Sequence, residues 1–445
     1  MSYSNEDKAL KKTNLKNSSV CRIGSTMDAW VLREIIREQK VVFESEGPEG
    51  LVEREALKKV SEFFKLPHAI VISGLRRSGK STLLKQVRKN FYQDELVYYF
   101  NFEDERLIGF EVGDFNILYE TFIELFGKSK VFFFDEIQNI EGWEHFVRRM
   151  YDREFKFIIT GSNSSLLSRE LGTKLTGRYV GLELYPFSFR EFLKFKGIPF
   201  PKEPLTEERG LIKGAFNEYL ETGGIPEYLR FENAEILKTL YENILYKDIL
   251  VRYGLGDEKA LRKLALYLFS NYTSEVNYSK LQKLLGLGSA NTVKNYIGYL
   301  ENSYMVFTIS KYDFSLKKQI YAPKKVYAID SAFINLISFK FSRDRGKLLE
   351  NFVFLELKRR NLELYYHRGR QECDFIVTER EKPVAAIQVT VALNANRERE
   401  YGGLLEALEV YGLEKGLILT EAEEFEEIFQ GKTIIVKPIW KWLLE

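Results

Sequence analysis

The chain has 445 residues, a formal net charge of +2, 45% hydrophobic residues and 29% charged residues. The length predicts two to four domains, and the composition is that of a globular protein with an ample core. No apolar run is long enough to span a bilayer, and residues Met1 to Asp7 lack an apolar signal segment. We therefore expect a cytoplasmic protein without membrane contact. Cys21 and Cys373 are isolated, so neither a disulfide framework nor a zinc site is indicated.

The N-terminal half begins with a polar, aperiodic stretch over residues 1–25, which predicts a loose arm. Over residues 26–197, apolar strand-like runs alternate with helical patterns, which predicts a doubly wound parallel α/β sheet. One of these runs, His68–Ser73, leads directly into Gly74–Ser81, which matches the phosphate-binding P-loop pattern. A strand, a glycine-rich turn and a helix N-terminus together direct backbone N–H groups at a polyphosphate.

The residue types of this loop suit the binding of ATP and Mg²⁺. Gly74 and Gly79 permit backbone angles and close approaches that a Cβ would hinder. Lys80 is expected to reach the β- and γ-phosphates, and the Ser81 hydroxyl to bind Mg²⁺. The predicted nucleotide-binding residues are Gly74, Leu75, Arg76, Arg77, Ser78, Gly79, Lys80, Ser81 and Thr82.

A second motif, Val131–Glu136, has the form of a Walker B strand that ends in two carboxylates. Because ligands of open α/β sheets lie at the carboxyl ends of the strands, Asp135 should emerge beside the P-loop and help to hold Mg²⁺. Glu136 is then placed to polarise an attacking water, which predicts ATP hydrolysis in addition to binding.

Two further positions are candidates for contact with the γ-phosphate. Asn163, or its neighbour Ser162, follows the strand-like run Phe157–Gly161 and suits a γ-phosphate sensor, although either residue also suits a helix N-cap. Arg178 is a candidate arginine finger, acting within its own subunit or on a neighbour in a homo-oligomer, and a plain surface arginine is the alternative.

The next two predicted units are a helical lid at residues 198–255 and a winged helix-turn-helix at residues 256–320. A short helix, a glycine turn, a second helix from Ala290 to Asn302 and a strand form the winged-helix pattern. The second helix offers polar groups that can touch phosphates or bases, and it is not strongly basic. Its candidate DNA contacts are Asn291, Thr292, Lys294 and Asn295. Both DNA binding and a purely structural role remain open.

Residues 321–445 read as a C-terminal α/β unit, and the chain now resembles a known family. It is similar to archaeal and bacterial AAA-type ATPases in which the ATPase core is joined to a C-terminal domain of uncharacterised function. The resemblance covers about residues 55–445. It is carried by Gly74–Ser81, Phe133–Gln138, Thr160–Ser162, Leu175–Phe192, Gly223–Glu227, the winged-helix stretch, Leu349–Asn351 and Glu372–Phe375.

The resemblance implies an Orc- or STAND-like ATPase core, a winged helix and a C-terminal fold similar to PD-(D/E)xK nucleases. The chain departs from the nuclease pattern at one point, because Gln388-Val389-Thr390 stands where active members have an acidic residue, any residue and lysine. A degenerate nuclease-like site is therefore expected at Glu350, Glu372, Asp374 and Gln388. Arg368 and Arg370 are candidate replacements for the missing lysine.

Three functions fit these motifs. The leading hypothesis is a Mg²⁺-dependent ATPase that couples nucleotide state to DNA binding or remodelling. The second is a slow ATP-dependent switch that controls assembly or protein partners, and the third is an ATP-regulated DNA nuclease. The response of ATP turnover to DNA separates the first two, and metal-dependent nicking identifies the third.

Overall fold

The computed structural model describes residues 27–45, 51–167, 169–338, 344–394 and 397–445. The arm predicted for residues 1–25 lies outside this part of the chain. Among the described residues, no helix combines the length and apolar character that a bilayer crossing requires.

The first unit is a five-stranded parallel sheet in the order β2-β3-β4-β1-β5, as the alternating pattern predicted. Helices cover both faces of the sheet. The elements are α1 Ala29–Glu44, α2 Ala56–Phe63, β1 Ala69–Gly74, α3 Lys80–Phe91, β2 Tyr98–Asn101, α4 Phe115–Phe126, β3 Val131–Asp135, α5 Trp143–Tyr151, β4 Lys156–Gly161, α6 Arg169–Lys174 and β5 Tyr179–Leu184.

Strand β3 shows why this sheet is buried on both faces. All five of its residues are buried. Phe132 and Phe134 pack into the hydrophobic layer on one side of the sheet, and Phe133 packs into the layer on the other side. Because side chains alternate along a strand, the continuous apolar run fills both layers and leaves only the carboxylates at its end free for chemistry.

A set of helices follows the sheet, and we call it the lid because most of it lies in residues 198–255, for which the sequence predicts a helical lid. Their bounds are α7 Phe189–Phe195, α8 Thr206–Thr222, α9 Pro226–Phe231, α10 Ala234–Asn243 and a π-helical continuation Ile244–Val251. A capping box starts α7, in which the Ser188 hydroxyl accepts from the Glu191 N–H at 3.1 Å and the Glu191 carboxylate accepts from the Ser188 N–H at 3.0 Å. Pro226 occupies the first turn of α9, where its missing N–H removes no helical hydrogen bond.

The third unit has the element order helix, strand, two helices, strand, helix, strand and a final helix. These are α11 Glu258–Ser270, β6 Glu275–Val276, α12 Tyr278–Leu285, α13 Ala290–Asn302, β7 Val306–Lys311, α14 Leu316–Tyr321, β8 Lys324–Ala328 and α15 Ser331–Ile337. Strand β8 pairs antiparallel with both β7 and β6. This sheet therefore continues beyond the boundary expected at residue 320.

The C-terminal unit is a mixed α/β layer. It consists of α16 Arg345–Arg359, β9 Glu363–Arg368, β10 Glu372–Glu379, β11 Lys382–Val389, α17 Arg397–Tyr411, β12 Lys415–Thr420, β13 Phe425–Phe429, β14 Lys432–Pro438 and α18 Ile439–Trp442. Strand β9 pairs in parallel with β7 of the third unit, so nine strands form one sheet in the order β13-β14-β12-β11-β10-β9-β7-β8-β6. The third and C-terminal units thus share backbone hydrogen bonds, and with the lid they share one hydrophobic core.

Candidate nucleotide site and other candidate sites

The P-loop connects β1 to α3 and contains two backbone positions that suit glycine. A Cβ at Gly74 would lie 2.2 Å from the Leu184 carbonyl oxygen of the neighbouring strand β5, so any larger residue would push the strands apart. Gly79 has a φ of 94° in the left-handed region, which is costly for residues with a Cβ. Both glycines of the motif are therefore required by the shape of the turn itself.

Lys80 meets the second carboxylate of the β3 motif. Its ammonium nitrogen lies 3.3 Å from Glu136 Oε1, and it donates to the carbonyl oxygens of Gly74 at 3.3 Å and Leu75 at 3.2 Å. Lys80 and Glu136 are both buried. The arrangement leaves the lysine with long, weak contacts, and it can exchange these for a phosphate oxygen.

Asp135 lies at the end of β3, next to the P-loop helix. Thr160 donates to its Oδ1, and the Tyr99 hydroxyl donates to its Oδ2 at 3.3 Å. Burial, followed by the charge of Glu136, raises the pKa of Asp135. A carboxylate that is costly to ionise in this setting gains from a nearby divalent cation, so Asp135 and the Ser81 hydroxyl suit a Mg²⁺ ion.

Glu136 is held in a left-handed backbone conformation with a φ of 52°. Burial alone would raise its pKa, but the charge of Lys80 and the hydrogen bond from Gln138 outweigh burial and hold the pKa below its usual value. Glu136 is therefore ionised at neutral pH and able to accept a proton.

A cavity of about 840 Å³ opens between the P-loop and the lid. Its size and its mixture of basic and carboxylate groups fit a nucleotide with a bound cation. P-loop residues that line it are Arg76, Arg77, Gly79, Lys80, Ser81 and Thr82, the β2 and β3 ends contribute Asn101, Glu103, Asp135 and Glu136, and the lid contributes Pro226, Glu227, Arg230, Phe231, Asn243 and Lys247.

Three of the predicted nucleotide-binding residues, Gly74, Leu75 and Ser78, do not line this cavity. The Leu75 side chain is fully buried in the core shared with the lid, and the Ser78 N–H already donates to the Leu75 carbonyl oxygen at 3.1 Å. These three residues shape the turn, whereas Arg76, Arg77 and the run from Gly79 to Thr82 line the cavity.

The sequence analysis missed Arg54, which supports the P-loop from outside the motif. Its guanidinium donates to the Ser78 carbonyl oxygen at 2.6 Å and the Tyr185 carbonyl oxygen at 2.7 Å, and it pairs with Glu191 at 2.9 Å. The side chain is only 4% exposed. Nothing in the local sequence around Arg54 marks this contact, because all three partners are brought to it by the tertiary fold.

The lid residues that contact the P-loop were also missed. Arg76 pairs with buried Asp248 at 3.1 Å and with Glu103 at 2.6 Å, and Arg77 pairs with Glu227. The variable positions of the P-loop are thus tied to α9 and to the π-helical end of the lid. A nucleotide whose phosphates attract Arg76 or Arg77 would compete with the carboxylates for these guanidinium groups.

In the loop after β4, Ser162 contacts Glu136, whereas the Asn163 side chain bonds within the loop. The Ser162 hydroxyl contacts Glu136 and accepts from the Gln138 amide at 3.2 Å. Asn163 Oδ1 accepts from the Ser165 N–H at 2.8 Å, which is the capping role that the sequence left open. Of the two candidates, Ser162 has the position suited to sensing.

Arg178 lies at the wrong end of the sheet to act on its own P-loop. Its carbonyl oxygen accepts from the N–H of Ala69, the first residue of β1, whereas the P-loop follows Gly74 at the other end. Five residues of strand separate the two ends by about 17 Å. The guanidinium instead pairs with Asp152 at 3.1 Å. A finger acting within the subunit is therefore wrong, and action on a neighbouring subunit stays a prediction.

The candidate DNA contacts lie on the outer face of α13. Asn291, Lys294 and Asn295 are exposed, and Thr292 is half-buried beside the capping residue Ser289. The opposite face of α13 packs into the core through Val293, Tyr296, Ile297 and Leu300.

The residues of the nuclease-like site do come together, around a lysine that the sequence analysis did not identify. Lys325 of β8 has its ammonium 2.7 Å from Glu350, 2.8 Å from Glu372 and 3.0 Å from Asp374. Gln388 instead donates to Glu400 at 2.6 Å. Neither predicted arginine substitutes for the lysine, because Arg368 pairs with Glu372 from an exposed position and Arg370 is exposed.

Three family models match consecutive parts of this chain. Residues 67–193 match a model described as an AAA domain, and residues 213–343 and 345–442 match two models described as domains of unknown function. An uncharacterized protein of Methanocaldococcus jannaschii is 33% identical over 97% of this chain and 99% of its own length. An uncharacterized protein of Haemophilus influenzae is 31% identical over 89% of this chain and 99% of its own length.

The chain belongs to the same family as these proteins. Its residues 67–193 are an AAA domain, so nucleotide binding and ATPase activity are supported at the level of the family. Among solved structures, similarity extends to the Orc1 protein of Aeropyrum pernix in complex with DNA, at a TM-score of 0.33 and 16% identity over 67% of this chain and 95% of that one. The Cdc6 protein of Pyrobaculum aerophilum gives a TM-score of 0.26 at 14% identity over 67% of this chain and 97% of that one. Such scores carry no argument about function.

Proposed function

We propose that the protein is a Mg²⁺-dependent ATPase that hydrolyses ATP to ADP and phosphate. The observation that carries this proposal is the meeting of Lys80, Asp135 and Glu136 at the wall of one open cavity. The AAA family match over residues 67–193 supports it.

Each residue has a role that follows from its position. Lys80 neutralises the β- and γ-phosphate oxygens, while the Ser81 hydroxyl and the Asp135 carboxylate hold Mg²⁺. Glu136 accepts the proton of the attacking water, and its lowered pKa keeps it ionised for that purpose. ATP with its Mg²⁺ supplies the reactive phosphoanhydride bond. Arg230 and Lys247 of the lid add positive charge at the outer wall of the cavity.

ATP turnover by the purified full chain tests this proposal. We expect Lys80→Ala to abolish tight ATP binding, because it removes the cation that meets the phosphates. Glu136→Gln should preserve binding and block turnover, because an amide cannot accept the proton. Turnover by Glu136→Gln at the parent rate would show that Glu136 is not the catalytic carboxylate.

We further propose that nucleotide state is coupled to DNA through the third unit. The order α11, β6, α12, α13, β7, α14 and β8, with antiparallel pairing of its three strands, supports the hypothesis of a winged helix. Helix α13 presents Asn291, Lys294 and Asn295 to solvent, as a recognition helix does. ATPase rates measured with and without single- and double-stranded DNA test this coupling, and a rate indifferent to both would contradict it.

One surface favours the second candidate, a switch that controls a protein partner. The segment between β7 and β8 exposes Phe314 at 75%, Leu316 at 70% and Tyr321 at 79%. Together with Ile320, these apolar side chains resemble the core of a protein interface more than a nucleic-acid surface. Slow turnover without any DNA response favours this function.

For the C-terminal unit we propose a nuclease-like fold without nuclease activity. The three carboxylates that would hold a metal already surround Lys325, which is 2% exposed. In the described part of the chain, no group of three or more His, Cys, Asp or Glu side chains is placed to hold a metal ion. A buried and internally neutralised cluster offers neither a metal site nor access for a phosphodiester.

A further inference from the structure

We propose that Gln138 positions Glu136 for catalysis and begins a route, made of hydrogen bonds and the backbone of the loop after β4, that links the catalytic carboxylate to the end of α13. The proposal rests on the hydrolytic role of Glu136 given above. It adds a positioning residue to the reaction and names the route by which the nucleotide site communicates with the candidate winged helix.

The first link joins Gln138 to Glu136. Gln138 lies in the short helical turn Ile137–Asn139, and its amide nitrogen donates to Glu136 Oε2 at 2.5 Å. The opposite oxygen of the carboxylate faces Lys80 at 3.3 Å. Glu136 is thus held from both sides, by a cation on the phosphate side and by a neutral amide on the side of the loop after β4. An amide can fix the direction of a carboxylate without supplying another charge.

The absence of a side chain at Gly161 leaves room for the Gln138 side chain. A Cβ at Gly161 would lie 2.3 Å from Gln138 Oε1 and 2.0 Å from the Leu166 side chain. Gln138 Oε1 is buried and has no hydrogen-bond partner. An unpaired buried acceptor costs free energy, so the Gln138 amide gains a hydrogen bond if a shift of the surrounding loop brings a donor to Oε1. This is the property expected of a group whose partners change during the reaction cycle.

The second link runs through the loop after β4. The Gln138 amide also donates to the Ser162 hydroxyl at 3.2 Å. Two residues further along, the Ser164 hydroxyl donates to Asn302 Oδ1 at 3.1 Å. Asn302 is the last residue of α13, and its amide nitrogen donates to the Tyr253 hydroxyl at the end of the lid at 3.1 Å.

The loop that carries these bonds is itself tied to the P-loop strand. The Ser73 hydroxyl, one residue before Gly74, donates to the Asn163 carbonyl oxygen at 2.7 Å. A displacement of Glu136 or of the P-loop strand therefore reaches Ser162, Asn163 and Ser164 together. From Ser164 it passes directly to α13, because no other residue stands between Ser164 and Asn302.

Variants at the two ends of this route, Gln138 and Asn302, test the proposal in the full-length protein. Gln138→Ala should lower kcat about ten-fold, because Glu136 loses its orientation, while the Kd for ATP stays within about two-fold. Gln138→Glu should be equally slow although it preserves the side-chain size, since it replaces the donor by a like charge. The matched control is Asn139→Ala on the same turn, whose amide bonds to the Phe102 carbonyl oxygen instead of Glu136.

The far end is tested by hydrogen exchange of residues 290–302 with and without ATP. We expect ATP to change the exchange of α13 in the parent and in Asn139→Ala, and to leave it unchanged in Asn302→Ala, whose basal turnover stays within about two-fold of the parent. Equal kcat for Gln138→Ala and Asn139→Ala would overturn the positioning role. An unaltered ATP response of α13 in Asn302→Ala would overturn the link. Both outcomes differ from failure of the proposed function, which shows as continued turnover by Glu136→Gln.

Discussion

Lys325 brings one positive charge to three carboxylates that come from two different elements. Glu350 belongs to α16, and Glu372 and Asp374 belong to β10. Burial, and then the charge of Asp374, raises the pKa of Glu350 to about 8. Burial alone would also raise the pKa of Glu372, but Lys325 and Arg368 outweigh it and keep that pKa below its usual value.

Removal of this ammonium should destabilise the protein strongly. Lys325→Ala leaves buried carboxylates without their cation, which typically costs about 3–5 kcal/mol of unfolding free energy. Lys317→Ala removes an exposed lysine of the neighbouring segment and serves as the control. Thermal unfolding should show a much lower Tm for Lys325→Ala, with no comparable change for the control.

Metal ions provide a second measurement on the same variants. Millimolar Mn²⁺ should raise the Tm of Lys325→Ala and leave the parent and Lys317→Ala unaffected, because only the first has carboxylates free to bind it. The parent should not cleave plasmid DNA with Mg²⁺ or Mn²⁺. Cleavage that disappears in Asp374→Ala would contradict the assignment of an inactive site.

The difference between Lys325 and the P-loop shows what a sequence reveals about single residues. Lys80 and Ser81 were predictable because the P-loop is a local motif whose chemistry depends on neighbours along the chain. The contact between Lys325 and Asp374 joins residues 49 positions apart in sequence. It depends on strand pairing, which no local pattern around either residue encodes. Arg54 was missed for the same reason.

Among the secondary-structure elements, the turn between α8 and α9 is fixed by a residue of the third unit. Asp330 accepts from the Gly224 N–H at 2.8 Å and, as the N-cap of α15, from the Ala332 N–H at 2.8 Å. A Cβ at Gly223 would lie 1.8 Å from Asp330 Oδ1. Gly223 and Gly224 therefore form a tight break, and the carboxylate packed against Gly223 explains why a side chain is excluded there.

This carboxylate makes stability depend on pH. Burial raises the pKa of Asp330 from 3.8 to about 6, against the hydrogen bonds from Gly224 and Ala332 and the charge of Arg359. Between these values the folded state binds more protons than the unfolded state, so stability falls as pH rises from 4 to 6 and then levels off. The loss is at most about 3 kcal/mol.

Comparison with Asp330→Asn isolates this contribution, because asparagine does not titrate. The denaturant midpoints of the parent and the variant should be measured at pH 4 and pH 7. We expect the parent to lose stability relative to Asp330→Asn between the two pH values. A difference that is the same at both pH values would mean that Asp330 titrates normally in the folded protein.

At the scale of the whole molecule, the protein consists of a nucleotide-binding sheet and a second assembly that shares one nine-stranded sheet and one hydrophobic core. The parallel pairing of Ser310 with Tyr365 joins the third unit to the C-terminal unit, and the core beneath them continues into the lid. Hydrophobic periodicity along the sequence indicated helices and strands within each unit. The shared nine-stranded sheet was not predictable, because a strand pattern does not specify its partner at the sheet edge.

DNA bound on α13 would contact a unit that is joined to the C-terminal unit through one sheet and to the lid through one hydrophobic core. Lys294 is exposed on the outer face of α13, and a second lysine lies nearby. Burial, and to a lesser extent the charge of Lys294, lowers the pKa of Lys324 at the start of β8 despite the opposing charge of Glu301. Lys294 and Lys324 thus place two basic groups close to each other, beside the carboxylate of Glu301, in a chain whose net charge is only +2.

Charge reversal at Lys294 tests this surface directly. If α13 contacts DNA, Lys294→Glu should weaken binding and reduce the slope of log affinity against log salt concentration by about one unit, because one phosphate contact is lost. Lys128→Glu changes the net charge equally at an exposed position of the nucleotide-binding unit and should leave the slope unchanged. Affinity and salt slope should be measured on duplex DNA with the full chain. Equal effects of the two variants would show that only overall charge matters, and an absence of binding by the parent would favour the protein-partner function.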